Sequence, residues 1–118
     1  MTVETTRATM ERYFQLMNSG GDFSELYTAD VRWLMADTGQ EIRGPTAVRD
    51  YLNELHDKML SGEQRDLVIA DEHAYLEGDA VNADGSKPGL SYCIVYDLSN
   101  GLIADMRCYG TIATLMEP

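Results

Sequence analysis

The chain has 118 residues, with 44% hydrophobic residues, three prolines, and 20 acidic against nine basic side chains for a formal net charge of -11. That length suits one domain, residues 1–118, around one core, and the composition is that of a globular chain rather than a disordered one. The acidity argues against nucleic-acid and anionic-membrane partners, which require a clustered basic surface. No apolar run is long enough to span a bilayer, and "MTVETTRATMERYF" lacks the basic and apolar regions of a signal peptide, so a cytoplasmic location is expected.

Residues 4–18 read as a helix, because Met10, Tyr13, Phe14 and Met17 recur at helical spacing. "NSGGD" stops it, with Asn18, Gly20 and Gly21 able to supply a left-handed cap, and Asp22 can cap a short helix over "FSELY". Residues 30–37 alternate Val31, Trp33 and Met35 against Arg32, Leu34 and Ala36, the pattern of a strand. "TG" turns it and "QEIRG" returns beside it. Residues 44–60 form a second amphipathic helix, with Pro45 in its first turn and Val48, Leu52, Leu55 and Met59 on its buried face.

The remainder is extended. "RDLVIADEHAYL" (65–76) and "GDAVNAD" (78–84) read as strands separated by a bend or bulge near Glu77 and Gly78. "GSKPG" is a turn, "LSYCIVYDL" a strand, "SNG" a turn, and "LIADMRCYGTIATLM" the last long strand. Helices followed by a run of long strands predict an α+β fold. We expect a cone-shaped, curved antiparallel (mixed) sheet with the N-terminal helices on its concave face, enclosing a cavity suited to a small molecule.

The chemistry is sparse. Cys93 and Cys108 fall on separate strands without zinc-type spacing, His56 and His73 are far apart, and no phosphate-binding glycine motif occurs. No metal or organic cofactor is expected. In "LIADMRCYG" one face carries Asp105, Arg107 and Tyr109, the other Ala104, Met106, Cys108 and Gly110.

Three stretches, "YFQLMNSGGDFSELYTADVRW", "IRGPTAVRDYL" and "YCIVYDLSNGLIADMRCYG", resemble the nuclear-transport-factor-2-like superfamily, in particular its SnoaL-like polyketide cyclase and ketosteroid isomerase branches. The segment from Glu41 and the closing "N-G-x-I-x-x-x-R-x-Y" carry the resemblance most specifically. It implies a tyrosine donor on the first helix, matched by Tyr13. It also implies a base on the first strand, but Met35 stands there. A second oxyanion donor falls near Cys93. The cyclases' aspartate after the arginine of "R-D-Y" is replaced by Cys108, and their strand histidine by Ile94.

The resemblance turns Met106, Cys108 and Gly110 toward the cavity and Asp105 and Arg107 toward the outer sheet face. Tyr13 and Asp37 are then the candidate catalytic pair, Tyr13 donating to a carbonyl and Asp37 standing in for the missing base. Met17, Trp33, Met35, Tyr92, Ile94, Tyr96, Met106 and Cys108 line the substrate site. Each of these residues also has a plain reading as core or turn. The expected function is a cofactor-free cyclase or isomerase of secondary metabolism acting on a small, apolar, oxygenated polyketide- or terpenoid-like molecule. Alternatives are a non-catalytic ligand-binding protein that lost the family's acid–base residues, and an epoxide hydrolase-like activity. The resemblance further implies a homodimer through the outer sheet face, to which Ile112 and Leu115 could contribute.

Overall fold

The computed structural model describes residues 2–57, 61–81, 84, 86 and 91–110. Helix α1 spans Val3–Ser19. Thr2 and Thr5 close a reciprocal capping box at its start, which satisfies donors that a first helical turn leaves open. Gly20, at φ 75°, ends it, and Gly21 N–H donates to the Leu16 carbonyl at 2.8 Å. A 3₁₀ turn over Phe23–Leu26 follows, capped by Asp22, whose Oδ1 accepts from Ser24 N–H at 3.0 Å.

The chain then forms β1 (Tyr27–Met35), β2 (Gln40–Arg43), α2 (Pro45–Asp57), β3 (Ser61–Ile69), β4 (His73–Val81), β5 (Ser91–Ser99) and β6 (Leu102–Gly110). One six-stranded sheet results, in the order β2-β1-β6-β5-β4-β3. The β1–β6 pairing is parallel and the other four are antiparallel, so the sheet is mixed. Both helices pack on one face, α2 against β1 and β2 and α1 toward β3 and β4. This is the expected α+β architecture.

Alternation along the strands builds the core. Val31, Trp33, Met35, Ala74, Leu76, Ala80, Tyr92, Ile94, Tyr96, Leu98, Met106 and Cys108 are buried beneath Met10 and Tyr13 of α1 and Val48, Leu52 and Leu55 of α2. Each large side chain removed from water contributes about 1.5–3 kcal/mol. Met59, Ile112, Leu115 and most of the "GSKPG" turn lie outside the described residues. Among the described residues no helix is long and apolar enough to cross a membrane.

Three local readings are corrected. Residues 65–76 are not one strand: the chain reverses at Ala70–Glu72, where Ala70 N–H donates to the His73 carbonyl at 2.8 Å. Glu77 and Gly78 accordingly lie within β4 rather than at a bend. The bulge opposite them belongs to β3, where Gln64 pairs with Gly78 and Asp66 with Glu77, leaving Arg65 extra. In β6, Ile103 pairs with Leu98 and Asp105 with Asp97, so Ala104 is a bulge residue. Ile103 therefore turns inward together with Met106, against strict alternation.

Candidate functional site

β6 is the axis of the inner face. Met106 lies between Trp33 of β1 and Tyr96 of β5, Cys108 between Met35 and Ile94, and Gly110 beside Tyr92. On the next strand Tyr96, Ile94 and Tyr92 adjoin Ala74, Leu76 and Gly78. The side chains expected to line the site thus share one surface under the helices, and Met17 packs against its edge.

Tyr13 is fully buried at the Met106 level. Its hydroxyl lies 2.7 Å from the Tyr27 hydroxyl and 3.7 Å from Met106 Sδ. Its ring meets Phe14, Phe23, Tyr27 and Tyr96 at centroid distances of 5.6–6.1 Å, mostly tilted or edge-on, as ring quadrupoles favour. Burial pushes the Tyr13 and Tyr96 phenols well above their usual range, with neighbouring phenols adding to the effect. Both are neutral, and the Tyr13 hydroxyl is already committed to Tyr27 and Met106.

One level along β6, burial first, then the Asp37 and Cys93 charges, push the Cys108 thiol up to about 12. A thiol held protonated is a weak donor rather than a nucleophile. Cys108 is also the neighbour that Tyr51, Tyr92 and Tyr96 feel in common. Tyr92 lies across Gly78, where an added Cβ would come within 2.7 Å of the Tyr92 hydroxyl and 2.6 Å of the Glu63 carbonyl. The absent side chain makes room for the phenol.

Asp37 is exposed in the turn after β1, and Ala36 N–H ties that turn to the Cys108 carbonyl at 2.9 Å. Its charge reaches the Cys108 thiol from the rim. The structure therefore does not bring Tyr13 and Asp37 together: Tyr13 contacts the Met106 level, and Asp37 lies beyond the Met35–Cys108 level. His56 lies in the last turn of α2, where burial holds its imidazole below the usual range, opposed by the Asp57 charge.

Asp105 and Arg107 point to the outer face. There Arg107 Nη1 donates to Asp97 Oδ2 at 2.6 Å and also to Asp105, while Arg32 Nε donates to Asp105 Oδ1 at 2.6 Å. Arg32 Nη1 reaches Glu41 at 2.8 Å, and His73 Nδ1 lies 2.8 Å from Asp97. A ribbon of alternating charge thus crosses β2, β1, β6 and β5, and His73 of β4 is hydrogen-bonded to its end. Among the described residues no cluster of three or more His, Cys, Asp or Glu side chains is placed to hold a metal ion.

Tyr51 of α2 escaped the sequence reading. Its ring lies 6.2 Å from that of Trp33, and its hydroxyl is enclosed without a hydrogen-bond partner among the described residues. The available signal was position: Tyr51 follows Val48 by three and precedes Leu55 by four, so it flanks the apolar stripe.

The SnoaL-like domain pattern matches residues 10–106. No curated protein sequence matches significantly. Among solved structures, a candidate SnoaL-like polyketide cyclase from Jannaschia superposes with a TM-score of 0.75 at 13% identity, over 96% of this chain and 90% of that one. A candidate ketosteroid isomerase from Kribbella flavida gives 0.71 at 19% identity, over 92% and 78%. A de novo designed protein with a curved sheet gives 0.79 at 18% identity, over 98% of both chains. These likenesses show the fold.

Proposed function

Because the chain belongs to the SnoaL-like domain family, we propose that it takes up a neutral, largely apolar, oxygenated small molecule against the inner face of the sheet and holds it through neutral donors. One observation carries this reading. Among the described residues the buried inner surface holds phenols and a thiol, and the polar residue buried with them is Thr6, not a carboxylate or an imidazole. Thr6 itself donates to the Asp71 carbonyl. Neutral O–H groups suit carbonyl, ether or hydroxyl oxygens. An anionic ligand would be desolvated there without a counter-charge and would meet a net charge of -11 on approach. Ligands of polyketide or terpenoid type, met in the cytoplasm, fit this description.

A second reading, a cofactor-free cyclase, isomerase or epoxide hydrolase, has one observation in its favour. The Asp37 carboxylate stands at the rim, on a turn tied to Cys108, where it could move a proton to or from a ligand seated beneath it. Tyr13 would act in that case from behind the ligand, through its exchange of hydrogen bonds with Tyr27.

Native mass spectrometry of the protein isolated from a producing cell tests both readings. A retained neutral, oxygenated molecule supports uptake, whereas retention of an anion, or of nothing, rules it out. Incubating the retained molecule with fresh protein then separates the readings. Turnover that disappears in Asp37→Asn supports catalysis, and unchanged ligand after incubation supports binding alone.

The same family reading favours a homodimer through the outer face. Val68, Tyr75 and Tyr109, the large exposed apolar side chains among the described residues, all lie on it.

A further inference from the structure

Most hydroxyls buried in a protein find a partner, because an enclosed, unpaired polar group costs about 1–3 kcal/mol. Tyr51 breaks this rule. Its oxygen has essentially no contact with solvent and no partner among the described residues, although the ring itself is only partly buried. The Trp33 ring lies 6.2 Å from the Tyr51 ring at 47°. Trp33 is occupied elsewhere, since its indole N–H donates to Met35 Sδ at 3.1 Å. Met35 itself pairs with Cys108 across the sheet. The Tyr51 ring thus lies beside Trp33 of the inner face, and its enclosed hydroxyl is left without an acceptor among the described residues.

From this geometry we infer that the Tyr51 hydroxyl is the polar anchor of the ligand site, kept unpaired in the free protein and satisfied by the oxygen acceptor of a neutral ring compound such as a cyclic ketone. The inference rests on the small-molecule reading above and names the group that recognises the ligand. One feature supports it. Burial raises the proton affinity of Tyr51, as it does for Cys108 and Tyr92, so all three stay neutral donors at neutral pH. A ligand acceptor arriving at Tyr51 displaces no existing hydrogen bond. The hydroxyl consequently contributes more to binding than an exchange of partners would.

The arrangement has a distinctive consequence: the hydroxyl stabilises the complex but not the free protein. The test compares α-tetralone, a neutral cyclic ketone, with tetralin, its counterpart without the oxygen, and with naphthoate, an anion of similar size. Binding is followed by the fluorescence of the chain's single tryptophan, Trp33. Wild type is expected to prefer α-tetralone over tetralin by about tenfold or more and to bind naphthoate weakest. Tyr51→Phe is expected to bind the two neutral probes equally and to melt no lower than wild type. A ketone preference that survives in Tyr51→Phe, equal binding of the neutral probes by wild type, or a lower melting temperature of the variant would each overturn the assignment to Tyr51 while leaving a small-molecule site intact. Failure of wild type to bind either neutral probe would overturn the underlying ligand reading as well.

Discussion

Cys108 occupies the position at which the cyclase resemblance places an aspartate, and its surroundings decide what it can do there. Burial keeps the thiol protonated, so in the folded protein at neutral pH it should resist a disulfide-exchange reagent that labels it promptly once the chain is unfolded. Labelling of both cysteines at similar rates in the native state would contradict this. Tyr13 and Tyr51 make a sharper pair. The Tyr13 hydroxyl is bonded to Tyr27, so Tyr13→Phe leaves a buried phenol unpaired and should cost about 1–3 kcal/mol in chemical denaturation. The same change at Tyr51 should cost nothing. At this scale the sequence was readable for side chains on a clean stripe, such as Tyr13, Trp33 and Met35. It was not readable for hydrogen bonding, which depends on what the opposite element presents: nothing in "AVRDYL" says that the Tyr51 oxygen is enclosed without a partner among the described residues.

Strands β4 and β6 show how far pattern carries an element. The alternation of Met106, Arg107, Cys108 and Tyr109 placed two chemistries on two faces correctly, because one face had to be buried. The bulge at Ala104 was not legible, since it arises from the register with β5 and not from the composition of β6. Gly78 misled for a related reason. A glycine in a polar stretch reads as a bend or bulge, yet here it continues β4 beneath the end of the Tyr92 ring. Gly78→Ala should therefore destabilise by about 1–3 kcal/mol, measured by urea denaturation, because its Cβ would collide with a backbone carbonyl and a phenol. On the outer face the charge ribbon ties four strands and carries an acid-linked contribution. The Arg107 guanidinium first, and His73 after it, hold the Asp97 carboxyl below its ordinary 3.8, against the opposing effect of burial. A carboxyl depressed in the folded state stabilises above its unfolded value and loses that contribution as pH falls through its folded value. The stability gap between wild type and Arg107→Gln should thus be full at neutral pH and shrink below pH 3.8. A gap independent of pH would show that the ribbon is not what holds Asp97 ionised.

For the molecule as a whole, the order of helices and strands and the motifs at Glu41 and Asn100 were enough to indicate the fold, which is shared by natural family members and by a designed chain. Function was less legible because the positions that carry acid–base chemistry in the resemblance hold Met35, Ile94 and Cys108 here. What replaces them is an inner face of neutral donors and an outer face of paired charges flanked by Tyr75 and Tyr109. If that outer face joins two copies, the double substitution Tyr75→Glu and Tyr109→Glu should convert a dimer into a monomer in sedimentation velocity, whereas a monomeric wild type would exclude the interface. The account stands most directly on where a neutral oxygenated molecule goes. An NMR titration with α-tetralone can follow the single indole N–H, that of Trp33, together with the amides of Cys108, Arg107 and Tyr109. Saturable shifts at Trp33 and Cys108 with Arg107 and Tyr109 unmoved are the predicted result. Shifts confined to the outer-face residues, or none at any concentration, would contradict it.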